Sequence, residues 1–533
     1  MVSFPTLDLL LLTFNCAKSP INVPDFAGHL QHALSSHSTY FLNSYFLRFG
    51  EALSLAAAQA GGYQFGDDDN EDNEGSADEG PDQMQQGQAR PQKGPKQPYH
   101  FVRQAHVGMT CILMFARDIS AVHDVEVAHC GFGVADMGNK GAVGLRIAYG
   151  KKEDFADDSE PSKLTFVATH LAAMEWNVRR RNANWRSIVA GLTFSNPNDV
   201  IAEAASASET AAALGRGRQG RNHDEAASEP RSAEEEAEAE AADAAGDGAW
   251  LLLGQQQHEM DVRRRLQDLS IFRPDNLLFV AGDLNYRIGD QRPPADAAFP
   301  TKSTWPEFID RDQLTNERLA GRTFHGMSEA PIDFPPTYKY DILSDEDIKA
   351  GAVPDNADEI QQHAELANAD EAAPFPYKYA SHRWPSWCDR VLYLDVPEWA
   401  KNQWKKSQQT LASPAATPEI KVLSYQSLPL MRTSDHQPVY FRAQIPLLPK
   451  SLYKRTEEVA TASEGDADGS VDPRIHSPIA IDTDAWARRS RARARERIAG
   501  AGMLLFNTKE GAAVMVTTVV VLVGLYWAWV GLL

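Results

Sequence analysis

Four short polar sets, each at the end of an apolar run, hold the side chains that could carry chemistry. Phe279-Val-Ala-Gly-Asp-Leu-Asn-Tyr-Arg-Ile288 places Asp283 and Asn285 two residues apart, so in an extended chain they share a face. A carboxylate beside an amide can align a water and hold a phosphoryl oxygen, although Gly-Asp-Leu-Asn is equally ordinary turn chemistry. Thr433-Ser-Asp-His-Gln-Pro-Val439 makes Asp435 and His436 neighbours, so one can face a metal while the other faces a substrate. A histidine acting as a base needs a carboxylate to fix its tautomer and balance its charge. Asp389 of Trp384-Pro-Ser-Trp-Cys-Asp-Arg-Val-Leu392 is the candidate orienter, unless Asp389 and Arg390 form a structural ion pair and His436 is a surface residue. Thr165-Phe-Val-Ala-Thr-His-Leu-Ala-Ala173 ends a strand on His170.

The elements that must position these groups read as short buried strands: Leu9–Phe14, Thr110–Ala116, Gly141–Ala148, Leu164–His170, Leu277–Asp283, Arg390–Leu394 and Pro438–Ala443. Helical patterns run over Glu175–Leu192 and Gln256–Leu269. Strands broken by helices, with polar sets following the apolar runs, predict an α/β protein whose site lies at strand ends.

At 43% hydrophobic the 533 residues can bury a large core. The net charge of −21 is a poor match to a nucleic-acid binder, so no nucleic-acid partner is expected. Four scattered cysteines (Cys16, Cys111, Cys130, Cys388) argue against a disulfide scaffold or zinc site and suit a reducing compartment. Leu7–Phe14 lacks the basic flank and cleavage site of a signal peptide and reads as a buried strand.

Gly511–Leu533 carries no charge over 23 residues, and as a helix it would be about 34 Å long, enough to cross about 30 Å of hydrocarbon. Tyr526, Trp527 and Trp529 suit an interfacial belt, and Arg488, Arg489, Arg491, Arg493, Arg495, Arg497 and Lys509 precede the segment. The positive-inside rule then places the remainder in the cytosol, behind a tail anchor at residues 511–533. The endoplasmic reticulum is the expected membrane. Residues 1–448 are read as the catalytic domain, with acidic, apolar-poor insertions at about 66–98, 196–248 and 341–374. Residues 449–510 are read as a linker with a basic juxtamembrane end, and the chain as a monomer.

Gly138-Asn-Lys-Gly-Ala-Val-Gly-Leu-Arg146, the His-Leu-Ala-Ala run, Ala281–Ile288, Pro335-Pro-Thr-Tyr-Lys-Tyr340, Pro385–Leu392 and Ser434–Val439 resemble, in order, the signature motifs of the inositol polyphosphate 5-phosphatases, a family within the endonuclease/exonuclease/phosphatase superfamily. The resemblance covers about Leu7 to Pro446. It implies a four-layer, DNase I-like α/β sandwich of two packed β-sheets flanked by helices, here followed by a transmembrane helix. It implies that Asp283 aligns the attacking water, Asn285 holds the scissile phosphate, and His436, oriented by Asp389, acts on the nucleophile. His170, Asn139 and Lys140 would contact phosphate, with Arg390 also on the substrate side. Asn15 and Asp435 would serve the metal, which would be Mg²⁺. Tyr338, Lys339 and Arg383 would bind the neighbouring 4-phosphate, favouring a phosphoinositide lipid such as phosphatidylinositol 4,5-bisphosphate.

One expected element is missing. The family carries an apolar strand ending in Leu-Gln-Glu soon after the asparagine strand, and its glutamate is the principal metal carboxylate. Pro24–Phe41 contains no such strand, and Glu51 lies in a helical pattern and does not fill the role. An omission from the gene model accounts for this better than an evolved pseudoenzyme. The alternative reading is a catalytically impaired phosphoinositide-binding protein.

Overall fold

The computed structural model describes residues 4–17, 99–133, 140–151, 160–161, 163–207, 255–301, 303–366, 375–408, 416–453, 472–507 and 509–532. Twelve strands are present among them: β1 (Thr6–Thr13), β2 (His100–Val107), β3 (Thr110–Ala116), β4 (Val122–Gly131), β5 (Gly141–Tyr149), β6 (Lys163–His170), β7 (Asn276–Asp283), β8 (Tyr340–Ile342), β9 (Tyr377–Tyr379), β10 (Asp389–Tyr393), β11 (Lys421–Ser427) and β12 (Val439–Pro446). Five form one sheet in the order β10-β7-β6-β5-β4, and three form a second in the order β1-β12-β11. β6 and β7 are parallel; the other pairs are antiparallel.

The inner faces of the two sheets meet. Phe279 and Tyr393 of the large sheet pack against Phe441 of the small one, with ring centroids 6.4 and 5.4 Å apart. The strands alternate because one face is buried: Val439, Phe441, Ala443 and Ile445 of β12 point into this core. Helix α1 (Val178–Gly191) covers the opposite face of the large sheet, seating Trp185, Ile188 and Val189 against Val167 and Val280. These are the two packed sheets and the flanking helices of the expected sandwich.

Five strands escape the apolar-run criterion: β2, β4, β11 and the three-residue β8 and β9. β4 and β11 are edge strands, and their alternation with His, Asp, Glu and Lys is what an edge exposed on one side requires. β1 is a strand but not the fully buried one expected. None of its residues is fully buried, since it pairs with β12 on one side only among the described residues. The β2–β3 hairpin stands beside it without a shared ladder. Asp8 and Arg442 of the small sheet act on the Tyr99 hydroxyl, and Cys16 on the Cys111 thiol.

The acidic stretch 341–374 is not wholly a solvated insertion. Ser344 and Asp347 form a reciprocal capping box that starts a short helix, a second helix spans Ala357–Leu366, and β8 pairs with β9. Acids in the first turn match the positive end of the helix macrodipole. The insertion expected at 66–98 lies outside the described residues. Of the one at 196–248, residues 197–207 are helical.

Helix α2 (Gln313–Leu319) caps the site-bearing turn after β7, and α3 (Glu398–Ser407) inserts Trp399 and Trp404 into the core. Residues 472–486, assigned to a linker from sequence, are packed on the domain. Arg474 is buried and donates to Asn276 O, while Gln267 donates to Pro473 O and Arg474 O. Trp486 Nε1 donates to Thr193 Oγ1. Polar composition suggested a solvated link, but Arg474 carries its own counter-ion, Asp472, into the contact at 2.8 Å. Helix α4 (Ala485–Asn507) then runs along β4 and α1, and α5 (Lys509–Leu532) follows it. Its span Ala512–Val530, with mean hydropathy 2.1, is long and apolar enough to cross a membrane, and none of it is buried in the protein.

Candidate active site

Strand register assembles the site. Across the large sheet Gly141 stands opposite His170, His170 opposite Asp283, and Asp283 opposite Asp389, so four strand ends present one row of groups at one sheet edge. The small sheet ends at the same place: Thr13 pairs with Val439, which puts Asn15 just beyond β1 beside His436 just before β12. The 335–340 segment joins the remaining loops. Tyr338 exchanges backbone hydrogen bonds with Ser386 at 3.1 and 2.7 Å, Gln437 N donates to Thr337 O, and Tyr340 N donates to Asp435 O.

The turn after β7 depends on Gly282. Its φ is +151°, and a Cβ there would lie 1.8 Å from Thr169 O, so only glycine lets β7 run this close to β6. Asn285 adopts φ 58°, a left-handed conformation that asparagine tolerates. Its N–H donates to Asp283 Oδ1 at 3.0 Å. The run is therefore a turn and a site element at once.

Asp389 Oδ2 lies 2.8 Å from His436 Nδ1 and also accepts from Thr337 Oγ1 at 2.8 Å. The Tyr338 ring leans on the imidazole at 4.4 Å, and the Arg287 guanidinium sits 4.2 Å over Tyr338. On the far side of the imidazole, Asn15 Nδ2 lies 3.3 Å from His436 Nε2 and donates to Asp283 Oδ2 at 3.0 Å. Asp283 Oδ2 is 3.2 Å from His170 Nε2 and 4.0 Å from His436 Nε2. Lys140 Nζ touches His170 Nε2.

Electrostatics follow from this packing. Burial opposes charge on His436, but Asp389, with Asp283 and Asp435 behind it, outweighs burial and raises the imidazole above its ordinary value. Burial alone would raise Asp283; His170, His436 and Lys140 hold it well below the carboxylate range instead. Asp389 is raised, chiefly by burial. Burial lowers the Lys140 ammonium to about 8. An anionic base, an oriented imidazole and a weakly held cation thus meet at one point.

The structure brings together Asn15, Lys140, His170, Asp283, Asn285, Tyr338, Asp389 and His436. Asn285 is largely engaged, its Oδ1 accepting from Arg287 and its Nδ2 donating to Leu171 O at 3.3 Å. Asp435 pairs with Lys339 at 3.3 Å and stands apart from the acid cluster. Arg383 lies on the rim, its guanidinium 3.1 Å from the buried Glu175 carboxylate. Arg390 is not at the site. It is fully buried and bonded to Asp312 at 3.0 Å and Glu329 at 2.5 Å, because side chains alternate along β10 and the residue after Asp389 faces the other way. It pairs with neither Asp389 nor substrate space. Asn139 lies outside the described residues. Two participants escaped the sequence reading: Arg287, whose place in the Ala281–Ile288 run was the available signal, and Thr337, whose contact with Asp389 no spacing discloses.

Asp283, Asp389 and His436 offer ligand atoms within 4.8 Å of one another. Mg²⁺ requires oxygen donors in near-octahedral array, commonly one or two carboxylates with water and phosphate. Both oxygens of Asp283 already accept hydrogen bonds, and Asp389 serves His436. Asp389 Oδ1 is buried without a hydrogen-bond partner, and Asn15 Oδ1 accepts from Ala17 N. Among the described residues this donor set does not make a Mg²⁺ site, because Asp389 Oδ1 is its one carboxylate oxygen left without a partner and both oxygens of Asp283 are engaged.

A buried carboxylate–imidazole–carboxylate arrangement bordered by a lysine at the edge of two packed sheets is a centre suited to water attack on an anionic ester. The signature of the endonuclease/exonuclease/phosphatase family 2 matches residues 13–442. The chain is 26% identical over 320 residues to type II inositol polyphosphate 5-phosphatase 15 of Arabidopsis thaliana, covering 60% of this chain and 21% of that protein. It is 25% identical over 384 residues to inositol-1,4,5-trisphosphate 5-phosphatase 1 of Schizosaccharomyces pombe, covering 69% and 23%. The chain thus spans about a fifth of the length of these relatives. Among solved structures, the inositol polyphosphate 5-phosphatase domain of a synaptojanin, in complex with inositol (1,4)-bisphosphate and calcium ion, matches at 23% identity with a TM-score of 0.36, covering 68% of this chain and 71% of that one. The chain belongs to the endonuclease/exonuclease/phosphatase family 2.

Proposed function

We propose that the chain hydrolyses the 5-phosphate of phosphatidylinositol 4,5-bisphosphate or a related inositol polyphosphate at the cytosolic face of a membrane. The observation that carries this reading is the row of Lys140, His170, Asp283 and Asp389 with His436 seated over it. With the Nδ1 proton bonded to Asp389, His436 Nε2 is an acceptor aimed at a water beside Asp283. Lys140 and His170 are placed to meet phosphoryl oxygens as their charge grows. Tyr338 and Lys339, with Arg383 on the rim, favour a second phosphate next to the scissile one. The arginine-rich approach to α5 supports a cytosolic domain on a tail-anchored chain, and the short span favours the endoplasmic reticulum.

The second reading, a phosphoinositide-binding protein with impaired catalysis, is favoured by one observation: the described donors fall short of a Mg²⁺ site where β1 lacks a second strand partner. The test is phosphate release from a short-chain 4,5-bisphosphate with Mg²⁺ and with EDTA. Turnover that needs Mg²⁺ and falls by about 10³ or more in Asp283→Ala and His436→Ala, with the double variant scarcely worse than either, supports the enzyme. Lipid binding without turnover in the wild-type chain supports the second reading.

A further inference from the structure

The docked juxtamembrane helix closes a second polar cleft, three strands across the large sheet from Asp283. It lies where α4 crosses β4 and α1, is open to solvent, and offers a small volume of about 70 Å³ lined by His129, Cys130, Ser187, Arg488 and Arg489. Arg488 is paired with Asp482. Arg489 is different. It lies 5.0 Å over the Trp486 ring and gives Thr193 O a long bond of 3.4 Å, and its Nε is buried with no hydrogen-bond partner. Arg493, one turn further along α4, touches His129. The charges acting on His129 are Arg489, Arg493 and, across the surface, His106, all of one sign; with burial they push His129 down to about 3. Burial lowers Arg489 to about 10, and Arg493 adds to that.

Like charges are not gathered and desolvated without a counter-charge unless something supplies it. We propose that this cleft is a phosphate-binding site, taking the phosphate group of an anionic lipid or of a soluble phosphate ester between Arg489, Arg493 and His129. Such a ligand receives charge-assisted bonds from two guanidinium groups and restores the His129 proton. The cleft lies on the helix that leads into α5, so an occupant from the lipid leaflet would fix how the domain sits on the membrane. The site does not depend on the chemistry proposed above, and its test reads binding, not turnover.

The test uses the full chain in neutral detergent, with thermal unfolding followed against inorganic phosphate, dioctanoyl phosphatidic acid and, as control, dioctanoyl phosphatidylcholine. Lys140→Ala is the background that removes the phosphate contact in the active site. Stabilisation should persist in that background and be weakened about tenfold or more in apparent affinity by Arg489→Gln/Arg493→Gln. A response to both anions assigns the site to phosphate from any source. A response to phosphatidic acid alone assigns it to a lipid headgroup. Without anion, the double variant should melt no lower than its parent, because the substitutions relieve repulsion. If Arg489→Gln unfolds the chain, the exposed Arg493→Gln serves alone. An anion response that survives the substitutions, or that is absent from the parent, overturns the site.

Discussion

Lys140 shows how one half-buried residue sets a pH limit on the whole site. Its ammonium has lost much of its hydration, and the attraction of Asp283 does not fully compensate, so it titrates near 8. A cation with a depressed pKa is charged below that value and neutral above it. Its contact with a phosphoryl oxygen should therefore fade as pH rises through about 8, and KM for an anionic substrate should climb there while kcat changes less. Lys140→Arg keeps its charge throughout this range, so the alkaline limb of kcat/KM should move up by about one unit or more. Identical alkaline limbs in the two proteins would mean that Lys140 does not hold the phosphate. His436 works in the opposite sense: raised by Asp389, it is the group whose protonation governs the acid side.

At the level of elements, β10 separates two kinds of arginine. Arg390 lies at the centre of a buried cluster with Asp312 and Glu329, and Tyr425 Oη donates to Glu329 at 2.9 Å. Removing it leaves two buried carboxylates unpaired, which costs about 3–5 kcal/mol. Arg390→Ala should lower the melting temperature strongly yet leave the preference for a 4,5-bisphosphate over a 5-monophosphate unchanged. Lys339→Ala should do the reverse, shifting that preference about tenfold, as expected for a lost charged contact. A specificity change in Arg390→Ala at unaltered stability would return that residue to the substrate side. The same strand shows what the sequence made legible. Asp283, Asp389, His170 and His436 stand at the ends of apolar runs, and the sheet register turns those ends into one row. The direction of Arg390 was missed because a motif names residues without giving their faces, and alternation along β10 decides the face. The edge strands β4 and β11 were missed because their polar alternation answers to solvent. Glu175 as the partner of Arg383, and Thr337 as that of Asp389, join positions 208 and 52 residues apart, and no local pattern contains them.

For the whole molecule, the question is where the domain ends and the membrane attachment begins. Composition puts a linker at 449–510, but the contacts of residues 472–486 are those of a packed element. Arg474 is 2% exposed, its guanidinium lies 5.7 Å over the Trp399 ring, and Pro473 fills the space in front of Gly326, where a Cβ would approach within 2.7 Å. Six hydrogen bonds tie this strap to the domain: two from Gln267, one each from Arg474 and Trp486, one from Asp482 N to Ala190 O and one from Asn198 to Thr483 O. At about 0.5–1.5 kcal/mol each they contribute about 3–9 kcal/mol. Two truncations separate anchoring from folding. A chain ending at Asn507 loses α5 and should leave the membrane fraction while melting as the full domain does. A chain ending at Tyr453 loses the strap as well and should unfold at clearly lower temperature, with its chemistry at Asp283 and His436 intact below that point. Equal melting temperatures for the two would show the strap to be a passive tether. A chain ending at Asn507 that stays in carbonate-washed membranes would show that α5 is not what holds the protein there. The expected pair of results would make 472–486 part of the folded domain, so that on the proposed anchor the site would meet a membrane in an orientation set by the fold of the chain as well as by the length of its tail.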